Sequence, residues 1–415
     1  MKKRILEEVI TAAAVSAAAV VGAEVLDRPS GIKIGERMTL RPSVSLSASY
    51  DTNVGSRHSN QDEDIIWTVN PNLGLDYRAE RWSLDLNVHY NYHNYSKSSD
   101  NDYNHHSYGE TLRWNWRNSD EEGFANGWAA MLSESFEQIT MSDDMSLNDG
   151  RGYTADRRQF NLNGAIQRRF NENFHSDLNA NYYLLDYQND LNYGSAMYGW
   201  QRWQAGLMSG YAPSKWTDIL ASLQYQGYLQ DNCEGSTLSG DSQGYSAMLG
   251  LGTYMTERIS YRLLAGWSRF EYAGNSSSSD GFTYSLSGKW KIGETWDMML
   301  LASSYYQPSE REYSAKSRVD ALSWGLAKSL IRGKLRGTLD LTYRHTTHEM
   351  VGGAGRDYEL DVVTGRLGFN YTLNRFLSAF AYAEYQRSWN DESDRSGGYC
   401  DYDRLRGTCG LRLSY

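Results

Sequence analysis

The sequence predicts an all-β protein: a transmembrane, antiparallel, up-and-down β-barrel of about eighteen strands, with sixteen as the other count. Three observations carry this. Residues 404–415 alternate strictly, with Leu405, Cys409, Leu411, Leu413 and Tyr415 on one parity and Arg404, Arg406, Thr408, Arg412 and Ser414 on the other. A strand places two such sets on opposite faces. Similar segments recur along nearly the whole chain, joined by connectors that are alternately short and long, as in outer-membrane barrels. Finally, only 40% of residues are hydrophobic and mean hydropathy is −0.65, too polar for membrane-spanning helices. Yet the chain holds 32 Tyr and 13 Trp, side chains suited to membrane interfaces and foreign to disordered chains.

The N-terminus has the plan of a secretory signal peptide: basic Lys2-Lys3-Arg4, an apolar run from Val9 to Val21, then Val21-Gly22-Ala23. We expect cleavage after Ala23, although Glu7-Glu8 is unusual before such a run. A surface helix or membrane anchor is the alternative, but about thirteen apolar residues fall short of the ~20 a spanning helix needs. This divides the chain into a signal peptide (1–23), a periplasmic lead (24–39) and the barrel (40–415).

From Leu40 the pattern unrolls in order. Val44, Leu46, Ala48 and Tyr50 share one parity. After the polar residues 51–64 come Ile65, Trp67, Val69, Leu73, Leu75 and Tyr77, with Pro71 read as a bulge. The turn Arg78-Ala79-Glu80-Arg81 leads to Trp82, Leu84, Leu86, Val88, Tyr90 and Tyr92, alternating with Asp85, Asn87, His89 and Asn91. A long polar stretch precedes Tyr108, Leu112, Trp114 and Trp116; Trp128, Ala130 and Leu132 follow, then Phe160, Leu162, Gly164 and Ile166. Further stripes begin at Phe174, Trp203, Ile219, Tyr245, Ile259, Phe282, Trp296, Leu322, Leu335, Leu367 and Phe376, and the outward set includes Tyr306, Phe380 and Tyr382. Tight turns such as Asn171-Glu172-Asn173, Gly293-Glu294-Thr295, Arg332-Gly333-Lys334 and Leu373-Asn374-Arg375 join them in pairs. A soluble sandwich would have shorter strands and less regular connectors, and a solenoid would repeat its sequence as well as its hydropathy.

In lipid the apolar face points outward and the polar face lines the interior. Some eighteen strands enclose a lumen too wide for side chains alone to fill, which makes the polar parity the functional surface. Its N-terminal half offers amides and aromatics: Asn87, Asn91, Asn115, Gln159, Asn161, Asn163, Asn179, Asn181 and Tyr183. Its C-terminal half offers cations: Arg262, Lys289, Arg336, Arg344, Arg366, Arg404, Arg406 and Arg412, against fewer carboxylates such as Asp297 and Asp340. Position along the strands puts Arg366 and Arg406 near mid-depth, and charges so placed select ions in a pore. For any single cation, pairing across strands that only braces the wall is an equally good reading. Amides and aromatics suit saccharide hydroxyls and ring faces, though amides occur in any wet lumen.

Acidic stretches at Asp62-Glu63-Asp64, Asp143-Asp144 and Asp391-Glu392 lie in the long connectors and read first as solvated charge, with cation bridging to lipopolysaccharide as the sharper alternative. The net charge of −10 argues against a nucleic-acid partner. Cys409 reads as a small buried hydrophobe, while Cys233 and Cys400 fall in loops, with a disulfide between them as the minor alternative because nothing fixes their separation. No motif for catalysis, metal or cofactor stands out: His105-His106 and His345 with His348 read as loop residues without a metal-binding frame. We expect neither an enzyme nor a cofactor or metal site.

Leu40 to Tyr50 followed by Tyr50-Asp51-Thr52-Asn53-Val54, together with the Arg-rich last strand, resembles the β-barrel porin type 2 family over about residues 36–415. The resemblance implies an outer-membrane barrel serving exopolysaccharide or other envelope export. It departs from common outer-membrane practice in ending on Tyr415 rather than Phe; Leu411, Leu413 and Tyr415 are still expected to serve as the signal read by the barrel-assembly machinery. The function expected is a channel for polar solutes, saccharides among them. A plugged structural or adhesive barrel that binds partners through its external loops is the alternative.

Overall fold

The computed structural model describes residues 31–54, 63–97, 103–114, 127–140, 156–188, 199–214, 216–230, 241–253, 258–272, 278–308, 315–350, 358–390 and 401–415. They form β1 (Ile32–Ile34), β2 (Met38–Asp51), β3 (Asp64–Arg78), β4 (Trp82–Tyr95), β5 (Tyr103–Trp114) and β6 (Gly127–Thr140). Next come β7 (Asp156–Arg169), β8 (Phe174–Gln188), β9 (Trp200–Ser214), β10 (Thr217–Gln230), β11 (Ser242–Gly252), β12 (Ile259–Tyr272) and β13 (Ser278–Ile292). The last are β14 (Trp296–Pro308), β15 (Ala315–Ile331), β16 (Leu335–Met350), β17 (Tyr358–Thr372), β18 (Leu377–Asn390) and β19 (Tyr402–Ser414).

From β2 to β19 each strand pairs antiparallel with its chain neighbour, and β19 pairs back onto β2. Eighteen strands therefore close into a barrel. Closure satisfies the backbone ladder, a requirement in lipid, where nothing else bonds a free N–H or C=O. Side chains such as Leu46, Leu223, Leu249, Trp267 and Leu413 are half or more exposed on the outer face, which is where the alternation puts them.

Closure is reinforced at both ends of β2. At its far end Asp51 meets Arg404 and Arg406, while Thr52 N–H donates to the Leu405 carbonyl at 3.0 Å and Leu405 N–H to Thr52 Oγ1 at 2.9 Å. Asn53 Nδ2 adds a bond to the Asp403 carbonyl at 3.1 Å. The stretch Tyr50 to Val54, which carried the family resemblance, is thus a clamp on the closing strand. At the near end β19 runs out at Ser414↔Ser43, and Tyr415 N–H donates to the Pro42 carbonyl at 3.1 Å. Beyond that point β1 takes over, pairing Ile32–Ile34 with Leu40–Met38. Residues 32–34, read from the sequence as lead, so cover an edge that would otherwise be open to mispairing.

Tight turns lie on the side of both termini. Asn171 Oδ1 accepts from the N–H of Asn173 and Phe174, and Asn374 Oδ1 from Phe376 and Leu377, side-chain caps that let Asn turn a chain. Gly293 (φ 65) and Gly333 (φ 69) supply the left-handed residue of two other turns. The connector at 115–126, which holds Asn115 and Trp116, lies outside the described residues, as do the signal segment, Cys233 and Cys400.

Four sequence expectations are corrected. Pro71 makes no bulge: β2 and β3 keep one register through Val44↔Pro71, and the interruption is a gap in the β3–β4 ladder between Val69↔Tyr92 and Asn72↔His89. Cys409 faces outward and is exposed. His105, His345 and His348 are strand residues, in β5 and β16. Phe380 and Tyr382 point inward, because β18 presents Ala379, Ala381, Ala383 and Tyr385 on its outer face. Alanine gives a weak hydrophobic signal, so the two aromatics misled the parity reading.

One seam departs from the regular wall. β13 and β14 pair only from Ile292↔Trp296 to Tyr284↔Ser304. Above this, β13 continues beside β12 to Ser278, and β14 beside β15 to Pro308.

The lumenal wall as candidate functional site

The inward parity is stratified by charge. Near the turn side, β2–β5 carry linked ion pairs: Arg41 with Asp76, Arg78 with Asp85 at 2.6 Å, and Arg113 with Asp85. On the same level His175 Nε2 meets Asp218 Oδ2 at 2.7 Å and Arg336 meets Asp297 at 3.3 Å. All lie near the turn-side ends of their strands; the last two pairs reach across an intervening strand, β9 and β15.

Above lies an imidazole and amide wall. His89 contacts Asn70 at 3.2 Å, Asn72 at 3.4 Å and Asn91 at 2.9 Å. His93 contacts Thr68 Oγ1 at 3.0 Å, and His105 contacts Asn91 at 3.3 Å and Glu137 at 3.0 Å. The wall continues with Asn181 donating to Asn161 at 2.5 Å and to Asn163 at 2.6 Å, while Arg202 donates to Asn181 at 3.1 Å. Tyr183 donates to Gln159 at 3.0 Å. The expected amides among the described residues are therefore inward, and much of their capacity is spent on one another. His89, His93 and Arg202 complete the wall; their alternation was visible, but their partners lie on other strands.

The cations expected from the sequence all take inward positions, with different surroundings. Arg404 is fully buried, donating to Asp51 through Nε at 3.0 and 2.9 Å and Nη2 at 2.5 Å; Arg406 Nε reaches the same carboxylate at 2.9 Å. These two brace the closure. Arg406 stands opposite Asp51, the last residue of β2, so it lies toward the loop end rather than at mid-depth. Arg366 is central in β17 and stacks its guanidinium 3.9 Å over the Tyr382 ring; Arg412 stands 5.7 Å over Phe380. These are cation–π arrangements, and Arg366 also has the carboxylates of Asp340 and Glu384 as its cross-strand neighbours. Arg344 lies on β16 opposite Ala321 and Val362, Lys289 on β13 opposite Ser260 and Met299, and Arg262 on β12 opposite Gly252 and Ser287. One register row runs Asp340, Arg366, Glu384, Arg406, Asp51 and Asp64 across β16–β19, β2 and β3. Strand tilt makes that row climb the wall.

The opposite side of the lumen also holds packed rings and apolar side chains. Tyr183, Trp200, Tyr228 and Phe270, all inward, are in ring contact in sequence at 4.9, 5.6 and 5.8 Å. Below them Met208, Leu220, Met248 and Leu264 form a buried apolar cluster. The interior is thus asymmetric, with rings and apolar side chains packed among buried polar groups along β8–β12 and a more open polar or cationic lining along β16–β19 and β2–β7. Among the described residues no group of three or more His, Cys, Asp or Glu could hold a metal ion. Outside the spans, Glu63 at a loop base accepts from Tyr50 at 2.5 Å and Lys97 at 3.0 Å, and these bonds hold its carboxyl below the ordinary range.

A barrel closed in this way, apolar outside and polar within, defines an integral outer-membrane β-barrel protein. Residues 28–415 match the family described as "Putative beta-barrel porin 2", and the chain belongs to that family. No curated relative matches the chain. Among solved structures it is similar to the FrpB iron transporter of Neisseria meningitidis (10% identity, TM-score 0.48, 92% of this chain and 82% of that one). It is similar also to the outer-membrane protein opdK of Pseudomonas aeruginosa (12%, 0.45, 91% and 99%) and to OccAB3 of Acinetobacter baumannii (8%, 0.45, 91% and 99%).

Proposed function

We propose that this porin-like barrel is a channel for polar solutes that favours anions, and that saccharides, including exopolysaccharide bound for export, are the solute class it suits. The observation that carries the reading is the pair of stacks, Arg366 on Tyr382 and Arg412 on Phe380, on the wall that adjoins the amides and imidazoles of β3–β4. Guanidinium groups held on aromatic faces keep their charge available to an anion, and aromatic faces and amides serve sugar rings and hydroxyls. No step of chemistry on the solute is needed. In the same reading Leu411, Leu413 and Tyr415 form the signal for the barrel-assembly machinery, and lipid and lipopolysaccharide surround the outer face. Single-channel recording of refolded protein in planar bilayers tests it: discrete conducting steps are expected, with current blocked in flickers by added oligosaccharide. A closed trace at all voltages would sink the channel. The packed side along β8–β12 favours one second reading, a partly plugged barrel whose external loops bind a partner; such a barrel would bind and not conduct.

A further inference from the structure

The top of β14 lies inside the barrel. Gln226 Nε2 on β10 donates to the Tyr306 carbonyl at 3.3 Å. Four strand spacings along a regular wall amount to about 19 Å, far beyond the reach of a glutamine side chain. Tyr306 shares its parity with the outward Trp296 and Met298, yet it is only 7% exposed. Its hydroxyl would stand 2.8 Å from a Cβ placed on Gly281, an inward position of β13. The outer face of β14 is therefore tucked against the inner face of β13. The lower edge of the split is held by Thr283 Oγ1, which donates to the Ser304 carbonyl at 2.5 Å. On β15, Val319 and Ser317 are buried at the same height.

We propose that this tucked segment, Tyr305 to Pro308 with the top of β15, is a gate made from the barrel wall itself. The existing register continues without a shift to Thr283 opposite Tyr305, Phe282 opposite Tyr306 and Gly281 opposite Gln307. Zipping these pairs returns the segment to the wall and widens the lumen beside the aromatic side. Tucking instead buries the Tyr306 ring and caps its carbonyl with Gln226. Ladder hydrogen bonds and ring burial are gains of the same order that cannot be had together, which is what a two-state element requires. The gate rests on the channel reading but moves by its own geometry.

The test is disulfide trapping in the full-length folded barrel. In the tucked state Phe282 points outward, 52% exposed, and Tyr306 lies on the inner side, so cysteines there face apart and cannot bridge. In the zipped state they are direct cross-strand partners. The double variant Phe282→Cys/Tyr306→Cys should oxidise in the folded protein, faster when Gln226→Leu removes the cap. Oxidation should raise single-channel conductance by at least about twofold, reversibly with reductant. Leu286→Cys/Ala302→Cys, on positions already paired, is the control for oxidation. The gate is overturned if the control bridges fully and the test pair does not, even with Gln226→Leu. It is overturned equally if the test pair bridges and conductance stays the same while the parent protein conducts. Silence in the parent and in both trapped forms would defeat the channel reading as well.

Discussion

Asp51 and Arg404 are both without solvent exposure, and charges so placed are tolerable because they meet each other, with Arg406 on the same carboxylate. Removing one partner strands the other, and a stranded buried charge costs about 3–5 kcal/mol, whereas replacing both with apolar groups is close to neutral. Asp51→Ala should therefore lower the urea midpoint of the refolded barrel sharply, read by heat-modifiable gel mobility. Asp51→Leu with Arg404→Met should recover part of the loss, the remainder reflecting Arg406, which reaches the same carboxylate at 2.9 Å. Equal losses in single and double variants would refute the pairing. The inward parity of Arg404 was legible in the sequence; its partner, 353 positions away, was not, since no local pattern reports a contact made by closure. A second residue-scale conflict sits on the outer face. Glu110 and Glu134 are direct cross-strand partners, flanked by Leu112 and Leu132 and facing lipid. Like charges so opposed destabilise a sheet, and a carboxylate on a lipid face adds to that, so Glu110→Leu should stabilise the barrel by about 1 kcal/mol or more. Glu134 already accepts from the Tyr108 hydroxyl at 3.3 Å, so a lowered midpoint would show that Glu110 too has a partner.

Strands were legible as elements because β-structure between lipid and water leaves a period of two, and the tight turns were legible because Asn and Gly mark them. Where the outer face is built from alanine the signal fades, and the pattern of β18 points to the wrong phase. A one-residue slip exchanges the two faces of a strand, so the matter is decided by accessibility. Tyr382→Cys should react with a charged, membrane-impermeant thiol reagent in liposome-reconstituted protein, and Ala381→Cys should not. The opposite result would turn Arg366 away from its ring and remove the stack on which anion preference rests. The top of β14 was beyond sequence reading for another reason. The doublets Ser303-Ser304 and Tyr305-Tyr306 carry no period of two; only the loss of pairing with β13 reveals the departure.

At the scale of the molecule two charge distributions compete. The chain carries a net charge of −10, which taken alone would draw cations to the mouth. The wall of β16–β19 instead presents Arg344, Arg366 and Arg412 inward. Which prevails depends on distance. At physiological ionic strength charge is screened over about 8 Å, so carboxylates on external loops act weakly on an ion already inside, while a guanidinium on the wall acts at contact. Permeability ratios should therefore favour chloride over potassium. The preference should shrink in the double variant Arg366→Gln/Arg412→Gln, whose lost charges are stacked on rings and not bonded into the closure. It should change little in Lys334→Gln, a residue of the turn outside the lumen. Salt supplies the discriminating control: raising both solutions to about 1 M shortens the screening length to about 3 Å and should abolish any loop contribution first. A preference for potassium that fades with salt would mean that the loops govern and the cationic wall only braces the barrel.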